Sequence, residues 1–513
     1  MTITSEREAR LGWNLAAGVA STAWTAIVTI GTVPVYLHYL GVEAYGLIGF
    51  YTALQAMFAV LDLGLSQSIN REVARATSED EHMQVRDLLH TLAIGYWMVA
   101  AVIAVGMWAA APWISRHWLN GSIDANTLAN LVALMGLTVA CRFPLGLYLG
   151  ALMGARRMGL ASGIEIAMVT ASSLGAAAIL ALVSSTIQAF FIWQALIAVI
   201  NVLAVQGTAW WALRAPRARA PRFDPTGVRR IWRFSAGIAV TAILGAIFVQ
   251  SDKVVLSQIV PLADLGRYTL ASIAARSLYV LSAPAFGAVY PQMSSLHAAG
   301  QVHEIERLYR LGTRLLMAIV FPAAAFLMTY STIIFRLWTG DAALAGSLTF
   351  VVAFLLLGTA LNSAMHFPYA LQLAFGKSSL PMMINISLLV IFAPLLILLS
   401  LWFGIVGAAA AWAILNILYL FLGTWLTHRQ LLPGVGLRWL GGDVGAPFLA
   451  SFVIVGGGGW ALQSLNLPAA AALAVGLALA GLAYLAIFTL TPGTAKFGRE
   501  IFSSRLPLHG AKA

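Results

Sequence analysis

Phe234 to Ile259 reads FSAGIAVTAILGAIFVQSDKVVLSQI, an apolar run that carries Asp252 and Lys253 side by side. It exceeds the roughly 20 apolar residues that a helix needs to cross a bilayer. A charge at membrane depth is costly, so ionisable residues there face a protein interior or a water-filled cavity and mark candidate functional sites. Successive helical residues point about 100° apart, so Asp252 and Lys253 are expected to diverge, and at least one needs a partner on another helix. The run follows the most basic loop of the chain, Arg214 to Arg233, and opens its second half.

The remainder has the same character. Of 513 residues, 60% are hydrophobic and 10% charged, and the mean hydropathy is +0.86. An ordinary globular protein has about 25% charged residues. The composition predicts an all-α polytopic membrane protein with fourteen transmembrane helices, near 12–38, 44–69, 88–113, 126–152, 160–183, 187–212, 234–259, 267–292, 311–336, 345–374, 380–402, 405–427, 443–463 and 468–490. No polar stretch is long enough for a soluble catalytic domain, so an enzyme is not expected. Cys141 is the sole cysteine and reads as a packing residue. Leu11 to Tyr39 is too long for the apolar core of a cleavable leader, so the first helix is expected to stay. His38, His90, His297, His303 and His366 lack paired metal-ligand spacing, so no metal or other cofactor is expected. Gly456 to Gly459 lacks the Lys-Ser/Thr and strand context of a phosphate loop and reads as a place for close helix packing.

The formal charge is +11, but its distribution argues against nucleic acid. With both termini placed on one side, 24 of the 30 lysines and arginines fall on that side. This is the bias that holds loops in the cytoplasm and against the anionic head groups of membrane lipids. On the other side, Glu43, Asp124, Asp264 and Asp341 open helices, where a carboxylate complements the helix dipole.

The chain also repeats itself. Gly41-Val-Glu-Ala-Tyr-Gly46 is echoed by Pro261-Leu-Ala-Asp-Leu-Gly266, and Phe143-Pro144 ahead of Gly154 to Arg157 by Phe367-Pro368 ahead of Gly376-Lys377. The expected plan is therefore an N-terminal lobe of six helices (1–213), a basic cytoplasmic linker (214–233), a C-terminal lobe of six helices (234–428), then two extra helices and a cytoplasmic tail (429–513). Transporters are commonly built from such repeats, with the substrate site between halves.

Three phrases carry a family resemblance: L-G-x-x-x-Y-G at Leu40 to Gly46; L-D-L-G-L at Leu61 to Leu65 with N-R-E-V-A-R at Asn70 to Arg75; and S-D-K-V-V-L at Ser251 to Leu256. In these the chain resembles the Wzx-type flippases of bacterial polysaccharide synthesis, in the superfamily that also holds multidrug extruders and the lipid II flippase. The resemblance implies alternating-access movement of an undecaprenyl-diphosphate-linked oligosaccharide across the inner membrane, for lipopolysaccharide or exopolysaccharide synthesis. It also offers the polysaccharide polymerase and the chain-length regulator as candidate partners. No residue signals an obligate oligomer, so a monomer is expected. The rival readings are a lipid II flippase, a cation-coupled drug extruder, and a membrane glycosyltransferase or polymerase. Short outer connections, the longest about Trp113 to Ala125, weigh against the enzyme.

An anionic lipid-sugar cargo needs fixed cations in a hydrated cavity. Lys253, Arg276 and Arg142 are the candidate substrate-binding residues, with Arg276 best suited to bidentate phosphate contact. The alternative is that Asp252 neutralises Lys253 or Arg276. Asp62, Arg142 and Glu165 are expected near the cytoplasmic side of the first lobe as a salt-bridge gate. Asp62, Asp252 and Glu165 are the candidates for gating or for coupling to H+ or Na+. A static Asp62 to Arg142 bridge is the bland alternative.

Overall fold

The computed structural model describes residues 2–214, 219–377, 379–465 and 467–489, and its elements are helices joined by short turns. Part of the expected basic linker (215–218) and the end of the expected tail (490–513) lie outside the described residues. The chain packs as two compact units, Met1–Gly266 and Arg267–Ala513.

The first unit contains α1 (Thr2–Ala59), α2 (Leu65–Arg75), α3 (Glu79–His117), α4 (Ala125–Arg142), α5 (Leu145–Gly154), α6 (Met158–Leu182), α7 (Ile187–Ala212) and α8 (Pro225–Ile259). α1 turns at Gly41, where φ is 77°, so it holds two arms of span length. The helix expected at 44–69 is interrupted: a 3₁₀ turn at Val60–Asp62 leads to Leu63 and Gly64, both left-handed, before α2 starts. Gly64 adopts φ 74° without the steric cost that an L side chain meets there. The helix expected at 126–152 also divides, because Pro144 has no N–H to continue the ladder and becomes the cap of α5. Helix starts are capped as the sequence suggests at Asp124, which accepts from the amides of Asn126 and Thr127 at 3.1 Å each. Ser78 and Glu81 form a reciprocal capping box at the start of α3.

α2 and α5 pack closely in this unit. Gly146, Gly150 and Gly154 recur every fourth residue and so share one face of α5. A Cβ on Gly150 would stand 2.3 Å from the Ser66 carbonyl oxygen, and one on Gly154 would stand 2.5 Å from that of Asn70. The backbones touch because nothing larger than hydrogen separates them. Around this seam Ile69, Leu88, Leu89, Tyr148, Leu152 and Ala209 are buried in one continuous cluster.

The second unit takes in most of α9 (Leu262–Ala298), then α10 (Val302–Thr329), α11 (Ser331–Thr339), α12 (Ala342–Ala364), α13 (His366–Ala374) and α14 (Ser379–Leu431). These are followed by α15 (Gly436–Leu462) and α16 (Ala469–Thr489). α14 is bent at Gly404, and α15 loosens into π-helical turns at Trp439–Gly445 and Phe452–Gly457. The helix expected at 345–374 divides between α12 and α13, one residue before Phe367-Pro368. Asp341 caps α12 through the amides of Ala343 and Leu344. α15 and α16 lie against α10 and the residue after it, where Cβ atoms on Gly459 and Gly476 would meet Thr329 at 2.6 Å and Tyr330 at 2.5 Å.

The internal repeat is visible as bond geometry. After α5, the amides of Ala155, Arg156 and Arg157 bond to the carbonyls of Ala151, Met153 and Leu152; after α13, those of Phe375, Gly376 and Lys377 bond to Leu371, Leu373 and Gln372. The two turns are the same turn, separated in sequence by the interval that separates Gly46 from Gly266. Among the described residues, eleven helical segments are long and apolar enough to cross a membrane. Two of them, α1 and α14, hold two arms each, and α8 runs 35 residues. The architecture is compatible with fourteen spans.

Candidate functional site

The interruption after α1 sets the geometry of a polar pocket in the first unit. Restarting a helix at Leu65 leaves orphan amides at its first turn. Asp62 meets one of them, accepting from the Ser66 amide at 3.4 Å, and accepts from the Ser66 hydroxyl as well. From α3, the hydroxyl of Tyr96 donates to the same carboxylate. Tyr96 is only 3% exposed and stacks on Phe143 at 5.0 Å between ring centroids. Asp62 is thus held by its own helix and by a neighbour.

Arg142, the last residue of α4, reaches Gln55 of α1 through Nη1 at 3.4 Å. Glu165 of α6 accepts from the Ser21 hydroxyl at 3.0 Å. The expected salt-bridge network does not form, and neither does the static Asp62 to Arg142 bridge: among the described residues, these three groups make no ion pair with one another. The reason is local, since hydroxyls already occupy both carboxylates. What the fold does bring together is cavity wall. Asp62 and Arg142 line one cavity of about 400 Å³, with Gln55, Phe58, Gln67 and Phe143. Arg142 and Glu165 line a second of about 360 Å³, with Thr25, Ser172 and Asn201. Arg142 stands between the two.

Asp252 and Lys253 do not diverge as expected. The long lysine stem folds back so that Nζ lies 3.6 Å from Asp252 Oδ1, and the Lys253 amide donates to that oxygen at 2.7 Å. Lys253 is 4% exposed. It lines neither of the two cavities above. Arg276, in α9 of the second unit, is exposed. One turn along, Tyr279 donates to Asn362, which donates to Asn416, and Trp412 donates to Thr359 on the same pair of helices. Asn362 thus serves as an interhelical bond.

At one end of the first unit, three connections are knitted together. Glu43 accepts from the Ser122 amide at 2.5 Å and hydroxyl at 2.6 Å, so it braces the turn between α3 and α4 rather than opening its own helix. Asn120 donates to Gln258 and accepts from the Leu262 amide, and the Trp118 indole donates to Ser257. The echoed glycines meet here. A Cβ on Gly46 would stand 2.0 Å from the Leu262 carbonyl oxygen, and one on Gly266 would stand 2.2 Å from that of Val42.

Two further charged clusters escaped the sequence reading. Asp87 of α3 receives Arg219 in a bidentate pair, 3.1 Å through Nη1 and 2.5 Å through Nη2, and the Arg222 amide at 2.7 Å, so the basic loop is strapped to the first unit. In the second unit, Asp443 is fully buried and accepts from Nε of both Arg310, at 2.9 Å, and Arg314. The signal for this was present in the i, i+4 spacing of Arg310 and Arg314, which puts both on one face of α10 opposite a lone carboxylate.

These features can be set beside known proteins. The model of the polysaccharide biosynthesis protein family matches residues 12–297, more than half of the chain. Over 418 residues the chain is 22% identical to a Shigella flexneri protein assigned as an O-antigen transporter, covering 82% of this chain and 97% of that one. Its fold is similar to that of the lipid II flippase MurJ in an inward closed conformation, with a TM-score of 0.72 at 13% identity, over 95% of this chain and 100% of that one. It is also similar to an inward-facing multidrug resistance MATE family transporter of the MOP superfamily, with a TM-score of 0.67 at 14% identity over 79% and 94% of the two chains. Identities this low speak to the fold alone, that of a multi-pass helical membrane protein. Matched by the family model from its first span to the end of α9, the chain belongs to the polysaccharide biosynthesis protein family.

Proposed function

We propose that this chain is a flippase that carries undecaprenyl-diphosphate-linked oligosaccharide repeat units across the bacterial inner membrane by alternating access, and not an enzyme. The observation that supports this reading most is a cavity lined by two charges that make no ion pair with each other, Asp62 and Arg142, on helical segments long and apolar enough to cross a membrane. Burying charges without joining them is expensive, and a polar cargo that meets them in transit gives the expense a use. The relative assigned as an O-antigen transporter supports the same cargo class. The basic turns face the cytoplasm together with both termini, so the end closed by Glu43, Asn120 and the Gly46 to Gly266 crossing is the periplasmic gate in its shut state. Its opening requires those backbone contacts to part. Asp62, poised between Tyr96 and Ser66 at a helix break, is the residue that takes up the coupling H+ or Na+. Arg276, exposed on α9, contributes positive charge along the route, whereas Lys253 is neutralised by Asp252. The polysaccharide polymerase and chain-length regulator receive the flipped unit.

The test is complementation of a bacterial strain that lacks its own repeat-unit flippase, with surface polysaccharide and periplasmic access of the lipid-linked sugar as readouts. Restored surface polymer at normal protein level is the expected result, and Asp62→Asn should cut it at least about tenfold. Rescue of a strain depleted of lipid II flippase, with no rescue of the polysaccharide strain, would transfer the assignment to lipid II.

A further inference from the structure

The cavity shared by Asp62 and Arg142 has a chemical signature of its own. Its volume, about 400 Å³, is at the small end of the range for ligand pockets, roughly 300 to 1,000 Å³. That is room for a single sugar rather than a whole repeat unit. Phe58 and Phe143 supply apolar faces, and Phe143 is braced by its stack on Tyr96. Gln55, Gln67, Asp62 and Arg142 supply planar polar groups, the kind that bond two adjacent oxygens of a ring at once.

The charges narrow the choice further. Among the described residues, no carboxylate lies within ion-pair distance of Arg142; its one side-chain bond is to the neutral Gln55, at 3.4 Å. Among the described residues, Arg142 Nε and Gln55 Nε2 have no hydrogen-bond partner. Among the described residues, Asp62 is held by hydroxyls and an amide and makes no ion pair. A ligand suited to both must bring an anion to Arg142 and hydroxyl donors to Asp62. A diphosphate would bring only negative charge next to Asp62, and a neutral sugar would leave the guanidinium without its counterion.

We propose that this cavity is a subsite for one carboxylated pyranose, a hexuronate-type sugar, in the transported oligosaccharide. The proposal rests on the transport reading above and adds the class of sugar it selects. The sugar carboxylate bonds to Arg142 and to the Gln55 amide, its ring hydroxyls donate to Asp62, and its apolar face lies on Phe58 or Phe143.

Saturation-transfer NMR on the detergent-purified full chain tests this with methyl β-glucuronide, methyl β-glucoside and inorganic pyrophosphate as probes. Glucuronide should bind at least about tenfold more tightly than glucoside, the discrimination expected of one charged hydrogen-bonded contact. Arg142→Gln should abolish that preference, while Arg142→Lys should keep part of it, which separates loss of the charge from loss of the fold. Equal binding of the two sugars overturns the proposal, and so does displacement of glucuronide by pyrophosphate from wild type but not from Arg142→Gln. Transport supplies the independent arm. A chain that exports neutral and acidic repeat units equally keeps its flippase function and loses the subsite. A chain that binds glucuronide as predicted and exports no lipid-linked sugar keeps the pocket and loses the flippase function.

Discussion

Replacing Gly150 by alanine adds one methyl group at the close seam between α2 and α5. That carbon would be 2.3 Å from the Ser66 carbonyl oxygen, 3.1 Å from its carbonyl carbon and 3.2 Å from Ile69 Cγ2, while ordinary contact begins near 3.4 Å. The nearest obstacle is backbone, which no rotamer change can move. Relief needs α2 to retreat by about 1 Å, which also lifts Ile69 from a fully buried position. Overpacking of this kind costs about 1–3 kcal/mol, against roughly 1 kcal/mol gained from alanine's better helix propensity. The balance is a net loss of about 0–2 kcal/mol. Gly163 of α6 is the control, because a Cβ there meets nothing within 4 Å, so Gly163→Ala should be neutral or stabilising. Thermal unfolding of both variants in detergent, followed by tryptophan fluorescence and by the monodisperse fraction, measures the difference. If Gly150→Ala melts with or above Gly163→Ala, the backbone contact between α2 and α5 is not what the packing argument requires. Because α2 begins at the break held by Asp62, the same variant should also lower transport by more than its loss of folded protein accounts for.

Three other outcomes are expected. Asp443→Asn removes the counter-charge of Arg310 and Arg314, whose side chains are 28% and 21% exposed and therefore retain some hydration; it should cost about 1–3 kcal/mol, and an unchanged melting temperature in detergent would contradict this. Asp87→Asn should release the strap at Arg219, seen as faster tryptic cleavage between 214 and 222 with little change in melting, since the arginine is 37% exposed; a cleavage rate equal to wild type counts against it. Glu43→Gln weakens the brace on Ser122, so a cysteine placed at Ala44 in a Cys141→Ser background should react faster with a membrane-impermeant maleimide; slower or unchanged labelling argues that the end is held by the Gly46 to Gly266 crossing alone.

Much of the fold was legible because a membrane span is a strong sequence signal. Length and apolar composition located the helices, and Asp124 and Asp341 cap theirs as their positions suggest. The echo of Gly41 to Gly46 in Pro261 to Gly266 marked a pair of segments that do meet. Breaks inside spans were harder to see. Leu61 to Leu65 is apolar enough to pass as helix, and Gly64 is the one residue in it whose type hints at the left-handed break beside Asp62. The side-chain partners were the least legible. Adjacent positions on a helix diverge at Cβ, but the four-carbon stem of Lys253 reaches back to Asp252, a conformational freedom that the spacing does not encode. Asp62 and Arg142 are opposite charges on neighbouring helices, yet Tyr96, 34 residues from Asp62 in sequence, takes the bond. Charge pattern told where ions stand, not which neutral hydroxyl would reach them first. The α2 to α5 seam was written plainly in Gly146, Gly150 and Gly154, and a search for small residues at every fourth position would have found it.

The burial of Asp443 also bears on how the protein is made. α10 emerges from the ribosome more than a hundred residues before α15, so Arg310 and Arg314 are made before the carboxylate that pairs them. α15 is in turn a reluctant guest: it carries an acidic residue, and its mean hydropathy is 1.5 against 2.7 for the long helix before it. Docking on α10 gives that acidic residue its two arginine partners, so the seating of α15 depends on the correct placement of α10.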